Sequence, residues 1–176
     1  AEATSQGMEL DGRWLVTNGL TWSAALAYLD FEFDNYENAT CSAIHTLLTG
    51  ETLCDLSGST NIYSPEWSAS TSLDYFHSVS ANWDVRARLD LNYKSDHFVD
   101  VTLNEDVQQD AYLQVNAQVA LEYGNWAVAL VGKNLTDETI SSFVTDTPLS
   151  GTLNAPAYTG YFQRPRTVAL QLRYAF

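Results

Sequence analysis

The chain has 176 residues, 45% hydrophobic and 12% aromatic, with 22 acidic against 8 basic side chains and a formal net charge of −14. That balance argues against nucleic acid as a partner, which needs a basic stripe, and against simple adhesion to anionic lipid headgroups. No apolar run reaches the roughly 18 residues of a transmembrane helix, and no charged leader precedes an apolar core.

Alternation begins at once. Met8, Leu10, Gly12, Trp14 and Val16 share one face and Glu9, Asp11 and Arg13 the other, a period of two that predicts a strand with one apolar side. Asn18-Gly19 is a tight-turn signal, after which Leu20, Trp22, Ala24, Leu26 and Tyr28 make a second strand. The third sets Trp67, Ala69, Thr71, Leu73 and Tyr75 against Ser68, Ser70, Ser72 and Asp74, and the fourth Val85, Ala87, Leu89, Leu91 and Tyr93 against Arg86, Arg88, Asp90, Asn92 and Lys94. In the fifth, Ala111, Leu113, Val115, Ala117, Val119, Leu121 and Tyr123 oppose Tyr112, Gln114, Asn116, Gln118 and Glu122. Trp126, Val128 and Leu130 open a sixth. In the seventh, Val168, Leu170, Leu172, Tyr174 and Phe176 alternate with Ala169, Gln171, Arg173 and Ala175.

A water-exposed antiparallel sheet alternates as well, so the connections decide. Those after strands one, three and five are short: Thr17–Gly19, a stretch near His77–Asn82, and Gly124-Asn125. Those after two, four and six are long, spanning about Asn35–Pro65, His97–Gln109 and Asn134–Pro165. Short turns on one side and long loops on the other predict an antiparallel transmembrane β-barrel of the outer-membrane type, with the short side periplasmic. Large aromatics gather at the short-turn ends, where Trp14, Trp22, Tyr75, Trp83, Tyr123 and Trp126 are joined by Tyr174 and Phe176. Rings with a polar tip favour the bilayer interface, so these residues are expected to form an interfacial belt. The polar face then looks into a lumen, because an Arg at the bilayer midplane costs about 2–4 kcal/mol.

Acidic residues crowd toward the expected loops: Asp30, Glu32, Asp34, Glu37, Glu51 and Asp55 around one, and Asp96, Asp100, Glu105, Asp106 and Asp110 around another. Solvated loops explain them, and attraction of cationic ligands to an acidic mouth is the sharper reading. Cys41 and Cys54 fall in one loop. A disulfide closing such a loop contributes about 3 kcal/mol, and an oxidising compartment favours it over free thiols. His45 lies between them, either solvated or in reach of a metal or metal chelate.

No enzyme is expected. The histidines are His45, His77 and His97; Ser95, Asp96 and His97 are neighbours whose side chains alternate between faces and form no relay. Neither a Gly-x-Ser-x-Gly elbow nor a phosphate loop appears, and no cofactor is implied. Two further readings stand beside the barrel segment. One is a complete small barrel, structural or a passive pore, with an eighth strand hidden in Glu138–Gln163. The other is a soluble β-sandwich binding module.

Seven strands do not close a bacterial barrel, which takes an even number. The odd count and the start directly in strand pattern predict a C-terminal piece of something larger. Here the residues Thr17-Asn18-Gly19-Leu20-Thr21-Trp22-Ser23, Pro65-Glu66-Trp67-Ser68, Gly132-Lys133-Asn134-Leu135-Thr136-Asp137-Glu138, and Pro165-Arg166-Thr167 leading to Tyr174-Ala175-Phe176 become informative. In that order, over nearly the whole chain, they resemble the end of a TonB-dependent outer-membrane receptor. The resemblance implies a barrel of about 22 strands with an N-terminal plug and an inner-membrane energy-coupling partner of the TonB type. Residues 1–176 would then be the C-terminal portion of the barrel, the plug and earlier strands lying outside them.

The resemblance also implies transport of a scarce small-molecule ligand, such as an iron–siderophore, corrinoid or oligosaccharide, captured by long extracellular loops. Tyr63, Phe143, Tyr158, Tyr161 and Phe162 are the candidate vestibule residues, suited to stacking on sugar or chelator faces. Tyr174 and Phe176 match the terminal aromatic signal that the barrel assembly machinery reads in outer-membrane barrels, with the C-terminus periplasmic. Asn134–Asp137 is expected to break strand pairing and start a loop, because Asn and Asp side chains bond nearby backbone.

Overall fold

The computed structural model describes residues 1–150 and 155–176. The elements are β1 (Glu2–Thr17), β2 (Leu20–Asn35), β3 (Ala39–Thr40), α1 (Ala43–Thr49), β4 (Leu53–Cys54), β5 (Trp67–Ser80) and β6 (Trp83–Lys94), then a single 3-10 turn at Glu105–Val107. They continue with β7 (Tyr112–Tyr123), β8 (Trp126–Lys133), β9 (Ser141–Asp146), β10 (Tyr158–Phe162) and β11 (Thr167–Tyr174). The long strands form one seven-stranded sheet in the order β1-β2-β5-β6-β7-β8-β11, every neighbour antiparallel. All seven expected strands lie in that sheet, and the chain is nearly all β.

The sheet is open. β1 and β11 are its two edges and do not pair with each other, as a segment of a larger barrel requires and a small closed barrel does not allow. In the stretch that the small-barrel reading needed for an eighth wall strand, the described residues instead form β9 and β10, which pair with each other and not with the seven-stranded sheet. Among the described residues the long strands all lie in one sheet and not in two, as a sandwich would need.

Register explains why one sheet carries two faces. Cross-strand partners keep the apolar set in line: Trp14 pairs with Trp22, Trp22 with Leu73, Leu73 with Leu89 and Leu89 with Ala117. On the other face Asp11, Ala25, Ser70, Asn92 and Gln114 run side by side in the same way. A slip of one residue would send the whole polar set to the apolar side. The apolar side has no protein cover: Leu170 is 73% exposed and Leu10 69%. The large side chains of a water-borne core are therefore facing outward. On the polar face opposite charges pair, Arg88 with Asp74 (3.0 Å) and Asp90 (2.8 Å), and Arg86 with Glu122 (3.0 Å).

Two boundaries differ from the sequence expectation. β1 and β2 reach to Glu2 and Asn35, so Asp30, Glu32 and Asp34 lie on a strand and not in the loop. Thr4 Oγ1 donates to Asp34 and Gln6 Nε2 to Asp30, both at 2.9 Å, and this polar pairing carries the hairpin past its apolar stretch. The turn after β5 is only Ala81-Asn82, because His77 and Ser78 still pair with Val85 and Asp84. At the first turn Gly19 has φ +108°, and an added Cβ would lie 2.2 Å from the Phe76 carbonyl oxygen. Gly19 also accepts a 2.7 Å bond from the Phe76 N–H, so the turn is keyed to the next hairpin.

Candidate functional site

Most of the buried apolar residues lie outside the sheet, in the long loops. Val99 (0% exposed), Ile140, Val144, Ala39 and Cys41 are buried there, whereas the sheet buries only the small cluster Ala120, Ala129 and Val131. Fully burying a Val-sized side chain contributes about 1.5–3 kcal/mol, so the loops have a packed core of their own.

The first loop, 36–66, is built on a disulfide. Cys41 and Cys54 are bonded, Cα–Cα 5.1 Å, across the two-residue pairing of β3 with β4. Between them sits α1, a helix inside the expected loop whose local signals are a capping Ser and a closing Gly. Ser42 caps its start by accepting from the His45 N–H (3.3 Å), and Gly50 ends it at φ +80°. The loop returns along β2, where the Leu29 N–H donates to Glu66 O and the Phe33 N–H to Ser59 O, both at 2.9 Å. Asp55 lies on the exposed side, its carboxyl held below the usual range by the Ser57 hydroxyl and N–H.

The three long loops are tied to one another. The Tyr63 N–H donates to Phe98 O (2.9 Å), and the Val144 N–H to Val99 O (3.0 Å). The Ser141 N–H donates to Gln109 Oε1 (2.7 Å), and the Ala43 N–H to Asp146 Oδ2 (2.8 Å). His97, nearly buried, pairs by backbone with Gln109 and donates from Nδ1 to Ser95 O at 2.9 Å. The bond fixes the tautomer and orientation of the ring.

The expected vestibule aromatics gather around the β9–β10 hairpin. Phe143 and Tyr161 are direct register partners and stack at 6.4 Å between centroids. Tyr161 is 61% exposed and Phe162 62%, and the Phe162 ring packs over Gly160, where an added Cβ would meet it at 3.2 Å. Tyr63 donates its hydroxyl to Ser142 O (2.8 Å) while its ring stays half exposed. Tyr158 is spoken for, its hydroxyl accepting from Asn104 Nδ2 (2.5 Å). Burial, with the charges of Asp146, Asp106 and Asp100, keeps its phenol above the ordinary tyrosine range. Tyr63, Tyr161 and Phe162 thus present open ring surface, Phe143 is part-buried beside Tyr161, and Tyr158 is a strut.

What holds the hairpin is Asn134. It is 2% exposed and has φ +49°, a conformation that Asn tolerates better than other residues with a Cβ. Its N–H donates to Asn116 Oδ1 (2.9 Å), its Oδ1 accepts from the Glu138 N–H (3.0 Å), and its Nδ2 donates to Glu138 O (2.8 Å) and Arg164 O (3.4 Å). Asp137 then receives the Arg166 N–H (3.1 Å) and Nη2 (3.0 Å). The expectation of a strand break is met, and the same residues also latch both ends of the last loop.

At the other end of the sheet the aromatics expected as a belt stand in cross-strand pairs. Trp14 and Trp22 are 5.0 Å apart, Trp83 and Tyr123 4.7 Å, and Trp126 and Tyr174 4.7 Å, while Phe176 packs edge-on at 5.2 Å against Tyr174 of its own strand end. Tyr75 stacks on His77 at 6.2 Å. The matching pair at the long-loop end is Tyr28 with Trp67, at 4.8 Å.

The family model described as TonB dependent receptor-like, beta-barrel, matches residues 1–135. The chain belongs to this family. It is therefore an outer-membrane β-barrel segment, and its apolar face is the lipid face. Two solved structures share the fold. The ferric yersiniabactin uptake receptor FyuA from Yersinia pestis aligns over 99% of this chain and 24% of its own, with TM-score 0.71 and 16% identity. The siderophore receptor PiuA from Acinetobacter baumannii aligns over 98% and 22%, with TM-score 0.68 and 19% identity. The chain thus spans about a quarter of the length of these receptors. Comparison with curated protein sequences gives no match.

Proposed function

We propose that this chain is the C-terminal portion of the barrel wall of an energy-coupled receptor, which takes up a scarce ligand through the outer membrane with a TonB-type partner. The plug and the earlier strands are contributed by residues outside 1–176. The observation that carries the reading is the division of the chain into a two-faced open sheet and one packed cap made from all three long loops. A wall that only sealed a pore would not need loops with a buried core and cross-loop bonds.

In this reading the cap is extracellular and ligand meets it first. Tyr63, Phe143, Tyr161 and Phe162 supply ring faces for a chelator or sugar, while Tyr158 and the disulfide hold them in place. Ordering these rings before binding reduces the entropy that capture must offset. The paired aromatics at the short-turn end form the periplasmic interfacial belt, and Tyr174 with Phe176 is the signal engaged by the barrel assembly machinery. A ferric chelate is the first ligand class to test, since the two structures compared above are by name a ferric yersiniabactin uptake receptor and a siderophore receptor.

The test uses the full-length receptor expressed in cells lacking their own ferric uptake receptors. Radiolabelled iron is offered with a panel of siderophores, with and without the energy-coupling protein. Energy-dependent accumulation with one chelate, lost when Tyr161 and Phe162 are both changed to Ala, is the expected result. Accumulation that is indifferent to the coupling protein would overturn the transport reading.

A further inference from the structure

The disulfide does not exhaust the chemistry of the first loop. A ring nitrogen of His45 and the sulfurs of Cys41 and Cys54 all lie within 4.8 Å of one another. His45 Nε2 is shielded from solvent and has no hydrogen-bond partner, although Glu51 Oε2 approaches it at 3.7 Å. A shielded imidazole nitrogen that makes no hydrogen bond is a cost to the fold, and here it is incurred beside two sulfurs. We propose that Cys41, Cys54 and His45 are a latent site for a thiophilic divalent metal ion, closed while the sulfurs are bonded to each other and opened when a dithiol reduces them.

The step balances. One dithiol passes two electrons to the Cys41–Cys54 bond and leaves as a cyclic disulfide, and each cysteine sulfur gains one proton. Metal binding then releases both protons, because the thiolate is the ligand. Zinc takes sulfur at about 2.3 Å and imidazole nitrogen at about 2.0–2.1 Å, which places donors of a tetrahedral site roughly 3.5–3.8 Å apart. The nitrogen and sulfurs already lie within 4.8 Å of one another, and the sulfurs reach that spacing by rotating apart. Glu51 is the nearest candidate for the fourth position, with water as the alternative.

The scaffold favours this use. His45 sits in the first turn of α1, four residues after Cys41, with its backbone fixed by the Ser42 cap. Cys41 and Cys54 are held by the β3–β4 pairing and by the Cys41 N–H bond to Thr52 O (3.2 Å). Neither restraint depends on the S–S bond. A metal ion would thus replace the disulfide as the clamp of the loop, and the cap would keep its shape in a reducing environment that contains zinc. This inference does not rest on the transport reading.

Cobalt(II) is the probe, because thiolate ligation gives a charge-transfer band. The full-length receptor in detergent is reduced with dithiothreitol, desalted without oxygen and titrated with cobalt(II), beside the oxidised protein. The band is expected only after reduction, displaced by zinc, and absent from the Cys41→Ser/Cys54→Ser variant. His45→Ala, which leaves both cysteines in place, should weaken binding by at least about tenfold, since even outer partners of metal ligands count for about 10–100-fold. No band in the reduced receptor overturns the site. A band of unchanged affinity in His45→Ala reduces it to an ordinary dithiol and overturns the three-donor proposal.

Discussion

The Ala43 N–H donates a 2.8 Å hydrogen bond to Asp146 Oδ2, joining the first long loop to the last across 103 positions of sequence. Asp146 Oδ1, buried on the other side of that carboxylate, has no hydrogen-bond partner among the described residues, so the bond to Ala43 is what the carboxylate contributes there. A hydrogen bond to a charged group contributes about 1.5–3 kcal/mol. Asp146→Ala is expected to cost that much locally, freeing α1 from the hairpin while the wall stays intact. Hydrogen exchange should rise at residues 43–49 and not in β5–β8. Uniform loss of protection across the sheet would show that the contact supports the whole domain and not the cap alone.

Asn134 offers a sharper dissection, since conformation and bonding can be separated there. Asn134→Gly keeps the φ of +49° and loses the side-chain bonds to Glu138 and Arg164. Asn134→Asp keeps the acceptor for the Glu138 N–H and loses the Nδ2 donor. Asn134→Ala loses both the bonds and the ease of the conformation. The expected order of damage is Ala greatest, at roughly 3 kcal/mol from unsatisfied buried groups and backbone strain, with Gly and Asp smaller. Limited proteolysis between Asn134 and Arg166 reads it. A Gly variant as damaged as Ala would mean that bonding alone sets the position.

The wall was legible in the sequence and the cap was not, for a physical reason. A strand writes its faces into successive residues, so Leu170 and Gln171 declare opposite sides with no knowledge of their neighbours. The Asn18-Gly19 turn and the aromatic strand ends are equally local. The bond from Ala43 to Asp146 is not, because nothing near either residue encodes it. Asn134 falls between the cases. Its strand-breaking chemistry was readable, while its second role needed Asn116 and Arg164 to be brought to it by the fold. One misplacement follows the same line: Asp30, Glu32 and Asp34 look like loop until Thr4 and Gln6 are seen opposite.

Leu170 and Gln171 also test the faces of the wall directly. Both lie in the middle of β11, opposite Leu130 and Ala129 of β8. Leu170→Arg puts a charge against lipid and is expected to cost about 2–4 kcal/mol. Gln171→Arg puts the same charge toward the lumen and should be tolerated. The fraction of receptor in heat-modifiable, folded form in outer membranes distinguishes them. Equal tolerance, or greater damage at Gln171, would invert the assignment of faces.

Tyr158 carries a pH dependence with a definite sign. Its phenol is raised above the ordinary value of 10.0, first by burial and then by the charges of Asp146, Asp106 and Asp100, against which the Asn104 bond acts only in part. A raised folded value means that the protonated form is the one the cap favours. Its contribution is fully present below pH 10.0, the unperturbed value, and is lost as pH rises through the higher folded value. Protection of the β9–β10 hairpin from proteolysis or hydrogen exchange should therefore hold steady from neutral pH to about 10 and fall above it. Tyr158→Phe removes the titrating group, and the difference between the two profiles isolates it from the other tyrosines. The Phe variant should lose some protection at neutral pH with the Asn104 bond, yet show a shallower alkaline fall. Parallel profiles would assign the alkaline loss to other groups and leave Tyr158 as a strut whose ionisation the cap does not feel.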